Sequence, residues 1–234
     1  MSKSNLIKRT LLIVFVFSVI AFGVSATLFG GLDSNATDIL IININRIILI
    51  TSGSLSGLVG ISTFLYNYVI YNKVNRTYDY YVKKNHKYDV ALEIFAKYSR
   101  LITSDFIEKY IDLHVAYTYL RIANYDQCEI LFNKLYEKNS RKSRFMFSFI
   151  PLYYLSLICY VKDKTEEMNN YIVKINDLLE KSKRIIFRGN TYSTHIAIIK
   201  ALEEGNKSKL RELILLQCDG DPNKLIFIKD IYKK

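Results

Sequence analysis

The pattern of hydrophobic and polar positions divides the chain into an apolar N-terminal third and a longer region with helical periodicity. Residues 11–29 carry no charge, and a run of that length approaches the roughly 20 residues with which one helix crosses a bilayer. A second apolar run follows, interrupted by Arg46. Because a charged side chain at the bilayer centre costs at least about 2.5 kcal/mol, we place the second span at 47–69. The pattern predicts a transmembrane hairpin over residues 1–71.

The basic residues beside the two spans predict the orientation of this hairpin. Three precede the first span, whereas the connecting loop holds two aspartates and Arg46 as its only basic residue. Five more follow the second span: Lys73, Arg76, Lys83, Lys84 and Lys87. The positive-inside rule then puts both termini and the soluble region in the cytoplasm, at the inner or plasma membrane. The alternative is a cleaved signal peptide, because Val24-Ser25-Ala26 resembles a cleavage site.

The same five basic residues define a juxtamembrane helix or linker over residues 72–87. Attraction to anionic lipid is worth about 1 kcal/mol for each lysine or arginine near the membrane surface. A solvated basic surface is the competing interpretation. The net charge of +11 makes nucleic-acid binding a third interpretation. However, no helix-turn-helix or RNA-binding signature is present, and most tyrosines follow the spacing of a helical core. The sequence therefore favours lipid over nucleic acid.

Small residues mark one side of the second predicted span. They recur every four residues in two adjacent rows: Ser52, Ser56 and Gly60, and Gly53 and Gly57. Small side chains let helix backbones approach closely in lipid. Two interpretations follow, namely packing within the hairpin, and either self-association or docking onto another membrane protein.

Residues 88–234 show apolar positions at helical spacing and no alternating strand pattern, which predicts one all-α domain. Turn residues and capping residues set the limits of the elements. The predicted helices lie near 72–84, 88–102, 105–122, 125–138, 144–161, 164–182, 191–204, 207–217 and 222–232.

The segment 113–139 resembles a tetratricopeptide repeat. A small residue, Ala116, is followed by Tyr119, and a second helix then places Cys128, Phe132 and Leu135 at its packing spacing. A second unit has Leu155 and Ser156, then Met168, Ile172 and Ile175, and starts 40 residues later, against a family period of about 34. The resemblance implies an α-solenoid of stacked helical hairpins with a protein-binding surface. An irregular all-α bundle without a groove is the alternative.

Motifs for chemistry are missing from the sequence. The three cysteines and three histidines have no zinc, redox or metalloprotease spacing, and no phosphate-binding glycine loop occurs. We therefore expect no cofactor, no metal and no enzymatic activity. The predicted function is a membrane-anchored scaffold or adaptor that binds a protein or peptide partner. The alternative is an accessory or immunity-type membrane protein whose hairpin acts on a transporter, channel or toxin.

Overall fold

A computed structural model describes residues 16–17, 20, 35–102, 104–139, 145–182, 192–217 and 226–234. No strand occurs among these residues, so the all-α prediction is confirmed for them. The α-helices are α1 (Asn35–Thr77), α2 (Tyr88–Leu101), α3 (Asp105–Arg121), α4 (Tyr125–Asn139), α5 (Phe145–Val161), α6 (Thr165–Lys181), α7 (Ser193–Glu203), α8 (Lys207–Gln217) and α9 (Ile226–Lys233). A π-helix, Tyr78–Lys84, directly follows α1.

Helix α1 is 43 residues long, which corresponds to about 65 Å. The prediction of a separate helix over 72–84 is wrong, because α1 continues to Thr77 and then passes into the π-helix. Residues 61–87 contain neither glycine nor proline, so nothing ends the helix where the second predicted span stops.

None of the helices in the described part of the chain has the length and apolarity needed to cross a membrane. The first predicted span, 11–29, lies outside the described residues except for Val16, Phe17 and Ile20, which are helical. The second predicted span, 47–69, lies within α1.

The chain forms two compact units. The first contains residues 1–76 and 97–108, and within it the hydroxyl of Tyr66 donates a hydrogen bond to the carbonyl of Leu101 at 3.2 Å. The second contains residues 77–96 and 109–234, and it consists of helical hairpins.

Three hairpins of the second unit share one turn geometry. The pairs α3–α4, α5–α6 and α7–α8 are each joined by three residues, and the middle residue has a positive φ: 55° at Ala123, 59° at Asp163 and 64° at Gly205. In each turn the last N–H donates to the carbonyl five residues earlier, at 2.9–3.0 Å. This left-handed cap satisfies carbonyls at the end of the first helix.

A fourth hairpin, formed by the π-helix and α2, precedes these three. His86 has a φ of 52°, and the N–H of Lys87 donates to the carbonyl of Tyr81 at 2.8 Å, one residue further back than in the other turns. The wider π-helix accounts for that extra residue. The middle turn residues of the four hairpins are 37, 40 and 42 residues apart along the chain.

The second helices of all four hairpins bury the same two positions, four and eight residues after the end of the turn. These residues are Ala91 and Phe95, Cys128 and Phe132, Met168 and Ile172, and Leu210 and Ile214. The rows form the core between successive hairpins. Helix α5 is different, because it is buried on nearly all sides and contacts α4, α6 and α9.

Candidate protein-binding surface

The C-terminal helix α9 packs back onto the hairpins and marks a surface that accepts a helix. Phe227, Ile228 and Ile231 are buried, whereas Lys229 and Lys233 are exposed. Positions i, i+1 and i+4 share one face of a helix, so the helix is amphipathic. An isolated helix of eight residues is marginal in water, and these three side chains therefore provide most of what holds it.

One end of α9 contacts the hairpins α3–α4 and α5–α6. The ring of Phe227 lies 5.8 Å from that of Tyr125 and 6.3 Å from that of Tyr154, between ring centres. The Tyr125 hydroxyl donates to a carboxylate oxygen of Asp230 at 2.5 Å. Burial and this hydrogen bond raise the pKa of Tyr125, so the hydroxyl keeps its proton and remains a donor at physiological pH.

The other end of α9, together with Lys234 after it, contacts the α5–α6 turn and the α7–α8 hairpin. The Lys234 ammonium pairs with the Asp163 carboxylate in the second turn. The Lys207 ammonium donates to the Lys234 carbonyl at 3.2 Å. The Arg211 guanidinium lies 5.6 Å from the ring centre of Tyr232. A single short helix is thus held by residues of three successive hairpins.

A cavity of about 220 Å³ lies beside Lys234, between the second and third hairpins. Apolar side chains, among them Met168, Leu202 and Leu210, form part of its wall, and the charged groups of Asp163 and Lys207 also line it. An apolar wall with a few polar groups is the usual composition of a site that fixes a side chain in place.

Aromatic rings form a layer within the hairpins. The ring of Tyr154 stacks on that of Phe132 at 5.4 Å and meets that of Tyr117 edge-on at 5.3 Å. The ring of His114 lies 4.9 Å from that of Tyr78, and the ring of His195 lies 4.6 Å from that of Tyr153. Aromatic pairs in these geometries add roughly 0.5–1.5 kcal/mol beyond their buried area. The layer therefore stabilises the hairpin array, by which we mean the four hairpins between Tyr78 and Gln217.

Burial lowers the pKa of both histidines in this layer. The Nδ1 atom of His114 is 2.9 Å from the carbonyl of Tyr110, as expected if the neutral ring donates there. The Nδ1 atom of His195 is buried without a hydrogen-bond partner among the described residues. Both rings are therefore neutral aromatic members of the core at pH 7.

The two described cysteines are also part of the core. Burial raises the pKa of Cys128 to about 12 and that of Cys159 to about 11. Because the thiolate is the nucleophile, such thiols are inert near neutral pH. Cys218 lies outside the described residues. Within the described ranges, no three His, Cys, Asp or Glu side chains are grouped so that they could hold a metal ion.

The residues singled out for repeat packing are distributed as follows. Tyr119 is half-buried, and the others are buried: Ala116, Cys128, Phe132, Leu135, Leu155, Ser156, Met168, Ile172 and Ile175. The small side chains Ala116 and Ser156 each lie eight residues before the end of their turn, and Cys128 Sγ is 3.5 Å from the carbonyl of Ala116. These positions bring the two helices of a hairpin close together.

The described residues among those singled out for membrane contact are exposed. A Cβ atom added at Gly53, Gly57 or Gly60 would meet no described atom within 4 Å beyond the adjacent backbone of α1 itself. Ser52 and Ser56 belong to α1, but their side chains lie outside the described set. The five basic residues are all exposed: Lys73, Arg76, Lys83, Lys84 and Lys87. Lys83 pairs with Asp79 at 2.8 Å.

A second cavity lies in the first compact unit. It has a volume of about 370 Å³ and is lined mainly by apolar and aromatic side chains, including Phe64, Tyr68, Phe106 and Ile107.

The sequence did not indicate the binding surface around α9. Its contacts join residues far apart along the chain, such as Tyr125 and Asp230, which are separated by 105 positions. The only local signal is the spacing of Phe227, Ile228 and Ile231, which predicts an amphipathic helix but not its docking site. Comparisons with family models, curated proteins and solved structures found no match to this chain.

Proposed function

We propose that the chain is a non-catalytic, membrane-anchored interaction module whose helical hairpins bind a helical segment of a protein partner. The observation that carries the proposal is the docking of α9, because a surface built from three hairpins already holds an amphipathic helix through Phe227, Ile228 and Ile231. Binding of an amphipathic helix by an apolar surface is a recurring mode of peptide recognition. The resemblance of residues 113–139 to a tetratricopeptide repeat agrees with this function.

The membrane anchor rests on the composition of residues 11–29 and 47–69 and on the exposed surface of α1. Large apolar side chains of α1 are exposed, including Ile47, Leu58, Ile61 and Phe64. Large exposed apolar patches mark protein or membrane contact sites. Exposed basic residues from Lys73 to Lys87 would then face anionic lipid in the inner leaflet.

The absence of catalysis is proposed from the chemistry of the groups present. Cys128 and Cys159 are protonated thiols in the core. His114 and His195 pack among aromatic rings rather than beside a nucleophile. These groups are used for packing.

Photo-crosslinking in native membranes tests partner binding. We would place p-benzoylphenylalanine at Tyr160, which lines the cavity beside Lys234, at Val173, which is exposed on α6, and at Ile61, which is exposed on α1. A protein partner that binds the surface occupied by α9 is expected to crosslink from position 160 and not from 173. Crosslinks from position 61 alone would reject the hairpin array as the binding surface and favour the second candidate.

The second candidate is an accessory or immunity-type protein that acts through its membrane hairpin on a transporter, channel or toxin. The open space around Gly53, Gly57 and Gly60 favours it, because a neighbouring helix can approach this face closely. Replacing residues 1–71 with an unrelated two-span anchor separates the two candidates. Retained function would reject the second candidate, and lost function would reject simple tethering.

Localisation is tested with protease on intact spheroplasts that carry a C-terminal epitope, with detergent-opened cells as the control. Protection of residues 88–234 is expected for a cytoplasmic domain at the inner membrane. Digestion in intact spheroplasts would place the domain outside and favour the signal-peptide alternative.

A further inference from the structure

We propose that α9 is an exchangeable occupant of its own binding surface, and that the partner is an acidic amphipathic helix that displaces it. This inference rests on the proposed function, because it names the chemistry of the partner and the regulation of the same site. It comes from three features of the surface, which are the span of α9 across the hairpins, the charge around it and the cavity beside Lys234.

Helix α9 contacts more hairpins than a helix that only capped the end of the array would contact. A helix that only capped the array would cover the last hairpin, α7–α8. Instead, α9 also contacts Tyr125 at the start of α4, and Lys234, the residue after α9, pairs with Asp163 in the α5–α6 turn. It depends on three buried side chains and a few polar contacts, so local opening is easier for α9 than for helices with long buried rows.

The polar contacts of α9 set one requirement for the partner. The Tyr125 hydroxyl is a fixed donor, and it binds a carboxylate one residue before the apolar position of Ile231. A competing helix needs an Asp or Glu at the position of Asp230, because the donor would otherwise be left without its acceptor.

Charge sets a second requirement. Helix α9 and the residue after it carry Lys229, Lys233 and Lys234 against a single Asp230, in a chain of net charge +11. Lys207 and Arg211 contact this segment, and so does Asp163, which pairs with Lys234. Apart from that pair, the charge of the native occupant has the same sign as the net charge of the chain. Glutamate at the two exposed lysine positions of α9 would reverse the sign of the occupant's charge, and the resulting gain in affinity would fall with salt.

The cavity of about 220 Å³ beside Lys234 sets a third requirement. Position 234 follows Ile231 by three residues and lies on the same face, so an apolar side chain there can reach Met168 and Leu210. A leucine matches this apolar wall better than lysine does. The expected partner helix thus has the pattern Phe-Ile-x-acid-Ile-x-x-Leu with acidic exposed positions.

The test uses the full-length protein in detergent micelles and two fluorescent peptides. One has the native sequence of residues 226–234, IFIKDIYKK, and the other is its acidic form, IFIEDIYEL. The protein variant Ile231→Asp removes the main anchor of its own α9 and leaves Tyr125, Asp163 and Lys207 unchanged. Binding is followed by fluorescence anisotropy at low and high salt.

The acidic peptide is expected to bind Ile231→Asp at least about ten-fold more tightly than wild type, because a tethered segment competes at an effective concentration in the millimolar range. It is also expected to bind several-fold more tightly than the native peptide, with the difference lost at high salt. Tyr125→Phe should weaken both peptides. Tyr171→Phe should not, although that hydroxyl makes a comparable bond, to Asn133 at 3.2 Å, elsewhere in the array.

Hydrogen exchange on wild type provides a second measurement if Ile231→Asp does not fold. Amides of α9 should exchange faster when the acidic peptide is added, while amides of α6 keep their protection. Equal affinity for wild type and variant, or no binding to either, would overturn the inference. A concentration-dependent dimer in light scattering without peptide would also overturn it, because the occupant would then be a second copy of the chain.

The two proposals fail in different ways. Crosslinks from position 160 with no peptide exchange would retain partner binding and reject displacement of α9. Peptide exchange without crosslinks from position 160 in membranes would retain the exchange and reject a partner at this surface.

Discussion

Helices α1 and α5 are both rich in apolar residues, yet they differ in what surrounds them. Helix α5 has no charged residue, and almost all of its side chains are buried by contacts that include α4, α6 and α9. Helix α1 has no charged residue from position 47 to 72, but Ile47, Leu58 and Phe64 on it are each more than 60 % exposed.

Hydropathy alone therefore does not determine where an apolar helix lies. The surface of α5 is covered by helices of the same chain, whereas large apolar side chains of α1 are exposed in the part of the chain that the structure describes. Burial of apolar surface stabilises by about 25 cal/mol per Å², so the buried side chains of α5 stabilise the fold, whereas the exposed side chains of α1 contribute little to it.

The largest expected effect concerns two phenylalanines. Phe132 is 0 % exposed and stacks on Tyr154, whereas Phe64 is 69 % exposed on α1. Phe132→Ala should lower the free energy of unfolding by about 3–5 kcal/mol, because it removes buried contacts and leaves a cavity. Phe64→Ala should change it by less than about 0.5 kcal/mol. Urea unfolding of full-length protein in detergent, followed by circular dichroism, measures both.

A matched control for Phe132→Ala is Ile130→Ala, since Ile130 is exposed on the same helix. This control should resemble Phe64→Ala. Similar losses for Phe132→Ala and Phe64→Ala would contradict the contrast between a covered and an uncovered apolar surface.

The periodicity of the sequence predicted most hairpin helices closely. The predicted limits 105–122, 125–138 and 207–217 differ by at most one residue from the observed α3, α4 and α8. The spacing of residues such as Met168, Ile172 and Ile175 predicts a helix, because helical geometry places all three side chains on one face. The candidate repeat-packing residues could be named for the same reason.

The sequence did not predict features that depend on distant contacts or on unusual backbone. Ala123 has a positive φ without being glycine or asparagine, so the first turn carries no compositional signal for its left-handed residue. The docking of α9 depends on Tyr125 and Asp163, which no local pattern connects with Phe227. The docking position of α9 is set by how the folded hairpins pack against it.

The next expected effect concerns a buried polar pair in the array. Lys109 is 2 % exposed, and its ammonium donates to Asn139 Oδ1 at 2.8 Å. Asn139→Ala should lower the free energy of unfolding by about 1–3 kcal/mol, because a buried ammonium loses an acceptor. The control is Asn176→Ala, which removes a solvent-exposed bond to Glu203 and should change stability by less than about 0.5 kcal/mol. Equal effects in a urea titration would contradict the role of Asn139.

The pH dependence of stability should also separate the array from α1, which contains no histidine. Burial lowers the pKa of His114 in the folded state, so the unfolded chain binds more protons once the pH falls below about 6.5. Stability is therefore lost on acidification, by up to about 1.4 kcal/mol for each pH unit. His114→Phe should reduce this loss between pH 7 and pH 5.5. An unchanged pH profile in the variant would show that His114 is not the group responsible.

The smallest expected effect concerns two glycines with opposite backbone requirements. Gly57 lies inside α1 with no described atom within 4 Å of an added Cβ, whereas Gly205 has a φ of +64° in the third turn. Gly57→Ala should raise the free energy of unfolding by about 0.5–1 kcal/mol, because alanine gains helix propensity without a clash. Gly205→Ala should lower it by about 1 kcal/mol, because alanine is disfavoured in the left-handed region.

The same pair distinguishes folding from association on the uncovered helix. If the small-residue face of α1 packs against another helix in lipid, Gly57→Leu should abolish energy transfer between labelled copies or partners while leaving the urea midpoint of the hairpin array unchanged. Gly205→Ala should do the reverse, since it acts within a hairpin turn. A Gly57→Leu variant that shifts the urea midpoint of the array but keeps full energy transfer would mean that α1 is covered within its own chain, as α5 is.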